Sequence, residues 1–548
     1  MHFLEDSPFF SVCLGVTGGV FGQGLRLGMD ALRSQAPEDP SHVLGSFSRL
    51  LRELKSFDTP DLPVLCAKTG LSIPEGSPRG PRKDHLMKNI LPILLIMAGA
   101  LTLNAATPEK PNIILILADD LGYGDVGFTG GKAARTPELD KLAAEGLVLS
   151  DFHTNGVACT PTRAALMTGR YQQRSGLSNV LFVGRESQKG TGMAPHEVLI
   201  PERLREAGYK SALMGKWHLG SQPGAHPMQQ GFDEFIGFLE GHVDYTNKWN
   251  RLWPDWNRGY EKFTEDGYLT HLLTRHTIDF IEANKDRPFF IYLAHACPHT
   301  PHMLPGDPPV YGSDAKGKAE NVQPEKYVPM ITEMDKGIGE IANKLRELGI
   351  DKKTLVIFTS DNGQVADLAP VASAGPYRGG KGDMYEGGHR VPFLAWWPGS
   401  ISPGTISSQT AMTADLFPTF LDLAGLPMPS ERPLDGLSLK ETLLSGKPLP
   451  ERILFWDNAR EKAVRDGKWK LVDINDRKKN IHARELYDLE ADPGETNDLA
   501  ASQPEIAARL FRELEKWSAD VAEGATPQPH YEISSDEVSK KTKHQKAP

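Results

Sequence analysis

The chain has few cysteines and no sustained run of one charge before its tail. Cysteine occurs four times in 548 residues, at Cys13, Cys66, Cys159 and Cys297. That excludes a disulfide framework, so the fold must rest on an apolar core. A net charge of −10 without a basic stripe argues against a nucleic-acid surface. The longest apolar stretch, Ile90 to Leu103, is short for a bilayer span, so no stable membrane anchor is expected. No repeat of solenoid period is present. At this length more than one domain or subdomain is expected.

MKNILPILLIMAGALTLNAATPEK starts at Met87, with a basic Lys88, an apolar centre and small residues at Ala105 and Ala106. This is the layout of a secretory signal over 87–106. Bacterial export to the periplasm or the medium is therefore expected. Residues 1–86 read as a spurious or disordered upstream extension from a misplaced start codon, the alternative being a genuine leader with a short anchor. The Pro-, Ser- and Lys-rich end, 525–548, reads as a disordered tail.

From Asn112 the run NIILILA is continuously apolar, as in a strand buried on both faces of a parallel sheet, and it ends in Asp119 and Asp120. TLVIFTSDNG ends likewise in Asp361 and Asn362, RPFFIYLAHACPH in His299, and SALMGKWHLG near Lys216 and His218. VPFLAWWPG reads as a further strand. Helical stretches such as PELDKLAAEGL, IPERLREAG and ITEMDKGIGEIANKLRELG lie between them. Alternation of this kind predicts a large, mixed, mostly parallel α/β sheet sandwiched by helices over 107–456. KAVRDGKWKLV, ARELYDLEADPG and the helix PEIAARLFRELEKWSADV predict a smaller α+β subdomain over 457–524. Ligands in such sheets bind beyond the carboxyl ends of the strands, so the polar groups at these ends are expected to converge.

In CTPTRAALMTGR, Pro161 suits the first turn of a helix, and Cys159 stands at its positive end with Arg163 one turn on. That arrangement suits a negatively charged oxygen. A cysteine phosphatase would need a glycine-rich loop where Pro161 and Thr162 stand. Asp119, Asp120, Asp361 and Asn362 are hard oxygen donors for Ca2+ or Mg2+ rather than Zn2+. Each pair alone could equally be a turn or a cap. Lys216, His218, His299 and Lys381, the last in RGGKGDMYEGGHRVP, supply cations and proton carriers; His295, His302 and His389 read as structural. Cys297 could line the cleft beside His299 or be a buried thiol. Trp249, Trp253, Trp256 and Tyr260 could stack on sugars or pack an insertion.

CTPTR followed by AALMTGR resembles the signature of type I sulfatases, in the alkaline phosphatase superfamily, and the resemblance runs from about Pro111 to the last helix. The position after the proline is usually serine there and is Thr162 here, which bears on maturation efficiency. The resemblance implies that a formylglycine-generating enzyme or an anaerobic sulfatase-maturating enzyme oxidises Cys159 to Cα-formylglycine. It implies a metal, Ca2+ ahead of Mg2+, held by Asp119, Asp120, Asp361, Asn362 and the modified residue 159. One hydroxyl of the hydrated aldehyde would attack sulfur with the help of Asp361. His299 would protonate the leaving alcohol, and His218 would draw the proton from the second hydroxyl to release sulfate. Lys216 and Lys381 would grip the ester, and Arg163 would steady the diol. The expected substrate is a sulfated carbohydrate or an aryl sulfate. The rivals are a phosphomonoester or phosphonate-ester hydrolase of the same superfamily, and an inactive sugar- or sulfate-binding protein with Cys159 unmodified.

Overall fold

The computed structural model describes residues 110–182, 190–312, 321–430, 432–458, 460–476 and 480–527. The extension expected at 1–86, the signal at 87–106 and all but the first residues of the expected tail lie outside them. Among the described residues no helix is long and apolar enough to cross a membrane.

The chain runs through β1 (Asn112–Asp119), β2 (Leu147–Leu149), β3 (Phe152–His153), β4 (Lys210–Lys216), β5 (Glu234–Phe238), β6 (Asn257–Arg258), β7 (Glu261–Lys262) and β8 (Phe289–Pro298). It continues through β9 (Thr354–Ser360), β10 (Leu394–Trp396), β11 (Thr405–Ser407) and β12 (Ala411–Met412). A ten-stranded sheet has the order β11-β2-β10-β9-β1-β8-β4-β5-β6-β7. Its central five strands are parallel, with β1 between β8 and β9 and β4 between β8 and β5. β10 is antiparallel to both its neighbours.

The apolar runs are explained by burial on two sides. Ile114, Ile116 and Ala118 of β1 face one core, packed under α1 (Pro137–Glu145), α4 (Leu269–Asn284) and α5 (Pro324–Glu347). Ile113, Leu115 and Leu117 face the other, under α2 (Cys159–Thr168), α3 (Ile200–Glu206) and α6 (Leu416–Leu423). VPFLAWWPG yields only three strand residues, because Pro392 and Pro398 have no N–H to extend the ladder. α5 starts at Pro324, ahead of the expected Ile331.

The C-terminal subdomain is an antiparallel sheet of β13 (Ile453–Asp457), β14 (Glu461–Asp466), β15 (Trp469–Asp476) and β16 (Ile481–Asp488). α7 (Pro504–Ala522) covers it through Leu510, Leu514, Trp517 and Val521. Its first strand opens at Ile453, ahead of the boundary expected at Asp457. Its core also takes in Val157, Tyr171, Met384 and Met412 from the larger part of the chain.

Candidate active site

Because β1, β4, β8 and β9 run parallel, their carboxyl ends share one rim. Asp119 closes β1, and Asp120 follows in the left-handed region at φ 67°, which a short polar side chain tolerates. The Asp120 N–H donates to Asp361 Oδ1 at 3.2 Å, and the Asp361 N–H donates to the Ala118 carbonyl at 3.1 Å. Asn362 Nδ2 donates to Asp120 Oδ1 at 2.8 Å. These bonds knit the ends of β1 and β9 into one acidic cluster. Cys159 opens α2, and its Sγ lies 3.7 Å from Asp119 Oδ1.

Each acid in the cluster faces a cation. Lys216 Nζ donates to Asp119 Oδ2 at 2.5 Å. Lys381 Nζ lies 2.6 and 2.9 Å from the two oxygens of Asp120. Arg163 Nε and Nη2 both donate to Asp361 Oδ2, at 3.0 and 2.8 Å. Arg163 Nη1 also bonds the Lys216 carbonyl at 3.2 Å and the Tyr292 hydroxyl at 3.3 Å. The side chains of Arg163, Lys216, Asp119 and Asp361 are fully buried, whereas Lys381 is 22% and His299 14% exposed. A ligand therefore reaches the cluster from the Lys381 and His299 side.

The two histidines are set in opposite senses. His299 Nδ1 lies 2.6 Å from the Thr300 carbonyl, which can only accept, so Nδ1 carries the proton. Its Nε2 then faces Asp120 Oδ2 at 3.7 Å. His218 Nε2 donates to the Leu181 carbonyl at 2.7 Å, which leaves Nδ1 as a buried lone pair without a hydrogen-bond partner. Burial, with Lys216 next, holds His218 well below its ordinary pKa, so it is a neutral base. Burial also lowers His299 to about 4; Asp120 opposes this, while Lys381 and Lys216 reinforce it.

The acids are split in the same way. Burial works against the Asp120 charge, but Lys381, His299 and Asn362 outweigh it and hold the carboxyl well below its usual range. Burial, and then the negative charge of Asp119, push Asp361 up to about 6 against Arg163 and Lys216. Burial raises the Cys159 thiol to about 11, so an unmodified Cys159 is a poor nucleophile.

Asp119, Asp120, Asp361 and Asn362 fit a hard divalent cation. Asn362 Oδ1 is buried and accepts no hydrogen bond, an orphaned donor atom in a cluster of carboxylates. Ligand atoms of Asp119, Asp120, Cys159 and His299 all lie within 4.8 Å of one another.

The ten candidate site residues read from the sequence, Asp119, Asp120, Cys159, Arg163, Lys216, His218, His299, Asp361, Asn362 and Lys381, meet at this rim or line its edge. Sequence reasoning missed the supports. Tyr292 beneath Arg163 is hidden in an apolar strand. Ser360 Oγ accepts from the Leu121 N–H at 3.1 Å. Tyr327 donates to the Asp120 carbonyl or to Asp125 Oδ2, at 3.0 and 2.7 Å. His242 stacks on His299 with ring centroids 6.0 Å apart. Cys297 does not line the rim: its buried thiol donates to the Met330 carbonyl at 3.2 Å. Trp256 is buried and stacked on Phe263, and Tyr260 is 58% exposed and stacked on His226. His389 proves to belong to a second buried cluster with His153 and Glu386.

Residues 111–426 match the family model described as Sulfatase, and 380–520 match N-sulphoglucosamine sulphohydrolase, C-terminal. N-acetylgalactosamine-6-sulfatase of Mus musculus is 39% identical over 398 residues, 69% of this chain and 75% of that protein. Arylsulfatase A of Homo sapiens is 34% identical over 490 residues, 79% of this chain and 92% of that protein. The crystal structure of Ps i-CgsB superposes with a TM-score of 0.68 at 32% identity, covering 80% of this chain and 98% of that one. These likenesses span both the sheet with its acidic rim and the C-terminal subdomain. The chain belongs to the sulfatase family: it is a type I sulfatase of the alkaline phosphatase superfamily, an arylsulfatase-like sulfuric ester hydrolase.

Proposed function

We propose that this enzyme is exported by the segment at 87–106 and hydrolyses sulfate monoesters on carbohydrates, with a formylglycine made from Cys159 and a divalent cation, Ca2+ before Mg2+. The observation that carries this reading is the meeting of Cys159 with three acids, each paired to a cation, and two neutral histidines at one strand rim. The substrate class is supported by relatives named N-acetylgalactosamine-6-sulfatase, and by a Ps i-CgsB structure in complex with k-i-k-neocarrahexaose at 31% identity.

A cation on Asp119, Asp120, Asp361 and Asn362 would supply Lewis-acid polarisation, and a hydrated aldehyde at position 159 would supply the attacking hydroxyl. The chain's own side chains do the rest. Lys381, at the open side, meets the anionic ester first, and Lys216 lies deeper beside Asp119. Held by a rigid fold out of bulk water, their charges need no reorganisation as the ester's charge shifts. An ester anion near His299 offsets Lys381 and Lys216 and raises the His299 pKa, so Nε2 gains the proton it must give to the leaving oxygen. His218, kept neutral with Nδ1 free, is the base that returns the site to its starting state.

Mass spectrometry of the tryptic peptide holding Cys159, from the native host, tests the aldehyde: the unmodified thiol alone overturns it. Rates on sulfated saccharides, among them N-acetylgalactosamine-6-sulfate, are to be compared with those on aryl sulfate and aryl phosphate. Faster turnover of phosphate than of sulfate overturns the assignment of the ester, and turnover of aryl sulfates alone overturns the carbohydrate. Chelation is expected to abolish turnover, with Ca2+ restoring it better than Mg2+.

A further inference from the structure

Behind the rim lies a second buried group of charges that the reaction leaves unassigned. His153, Glu386 and His389 offer three atoms spaced for a metal, but cations already occupy them. Lys470 Nζ lies 3.0 Å from both Glu386 Oε1 and His389 Nε2, and Arg465 Nη1 lies 3.0 Å from His153 Nε2. The group is therefore a charge network rather than a metal site. Two of its cations come from the C-terminal sheet, Arg465 on β14 and Lys470 on β15, and Glu386 opens the short helix Glu386–His389 at the end of the loop that carries Lys381.

That loop is pinned on both sides of the site. The Lys381 N–H donates to the Gln364 carbonyl, just past Asn362, and the Gly382 N–H to the Val157 carbonyl, just before Cys159, each at 2.8 Å. Farther along, the Gly388 carbonyl accepts from the Gly363 N–H at 3.0 Å, and the His389 carbonyl from the Thr154 N–H at 2.7 Å. The C-terminal subdomain holds the loop from behind at two places. Asn458, which follows β13, donates Nδ2 to the Gly382 carbonyl at 2.9 Å, one residue from Lys381. Glu386, fully buried, is clamped by Lys470, by Arg390 Nη1 at 3.2 Å and through its N–H by Glu495 Oε2 at 2.6 Å. Lys470 completes the clamp by pairing with Glu495 Oε1 at 2.9 Å.

We propose that the C-terminal sheet positions Lys381 for catalysis, with Lys470 acting through Glu386 and Asn458 acting through the Gly382 carbonyl. The cation nearest the entrance stands on a glycine-rich loop with little stiffness of its own. Contacts from a separate sheet fix where its ammonium meets Asp120 and the sulfate ester. This rests on Lys381 holding the ester, as proposed above. Lys470 and Asn458 are positioning residues, since neither touches the reacting atoms.

Double-variant cycles with an aryl sulfate test this on the full chain. K470M is expected to lower kcat on the order of 10²-fold, the scale of a displaced catalytic group. N458A should lower it about fivefold, one hydrogen bond's worth. In a K381A background each should cost less than about twofold further, because the residue they place is gone. R174Q, which cuts the Arg174 contacts to Asp520 on α7 and to Asp435 away from the loop, should lower the melting temperature but leave kcat unchanged. Full multiplicative losses in the double variants, or an equal kcat loss in R174Q, overturn the proposal. If K470M does not fold, the N458A and K381A cycle decides alone. K381A as fast as the parent enzyme overturns the ester-holding role of Lys381 together with this proposal, a signature distinct from an additive cycle.

Discussion

Arg163 touches no solvent, yet it joins four parts of the rim: Asp361, the Lys216 carbonyl, Tyr292 and, at 3.9 Å, Asp119. Replacing it by Ala strands Asp361 beside Asp119 with no cation of its own. R163A is expected to lose activity and about 3–5 kcal/mol of stability, read by denaturant unfolding. R163K should remain inactive, since an ammonium cannot reproduce the planar fork. Gly241 is needed for a different reason. A Cβ there would sit 2.7 Å from Cε1 and Nε2 of His218, whose ring is already fixed by the Leu181 carbonyl. G241A should therefore depress kcat much more than melting temperature. Asp125, raised to about 7 by burial against its bonds to Tyr327, Gly122 and Ser373, gives a pH signature. The folded protein binds a proton here that the unfolded chain, near 3.8, has already released, so the stability contribution is full below about 4 and is lost as pH rises to about 7. Melting temperatures of the parent minus those of D125N should fall across that window. At this scale the rim was readable because Asp, Asn, His and Lys stand where apolar runs stop. Tyr292 and Tyr327 were not, because a hydroxyl at the end of an aromatic ring leaves no mark on a hydrophobic pattern.

Elements differ in how much they depend on their neighbours. β1, β8 and β9 declare themselves by unbroken apolar runs, since both of their faces are covered. β6, β7 and β11 do not, because they are two or three residues long and lie at the edges of the sheet, where pairing rather than composition makes them strands. α1 has no side-chain cap of its own; Asp335 of α5 supplies one, accepting from the Glu138 and Leu139 N–H groups at 3.1 and 2.8 Å. D335A is expected to cost about 1 kcal/mol or somewhat more, read by thermal unfolding. No local capping signal could have announced this, as the two helices' partner residues lie 196 and 197 positions apart.

For the whole molecule, the C-terminal subdomain is separate in topology, as a four-stranded antiparallel sheet, but not in packing. A change from alternating strands and helices to hairpins marks the C-terminal sheet plainly. The core under it is shared, because Val157, Tyr171 and Met384 bury themselves against Trp456, Leu471 and Leu514. A chain ended at Glu451 would expose that surface and leave Glu386 without Lys470. It is expected to aggregate, with no cooperative unfolding transition by circular dichroism. The charge network was illegible for a related reason: Glu386 lies on an element far in the sequence from those of Arg465 and Lys470, and the three meet only where the fold buries them together.

The burial of α2 also sets an order of events. Every residue from Cys159 to Thr168 is buried, and Cys159 itself is only 2% exposed. Another enzyme could grasp this segment only while it is still extended. An enzyme that oxidises the sulfur as proposed would therefore have to arrive before the sheet closes over it, which would make that maturation a race against folding rather than a repair of the finished protein.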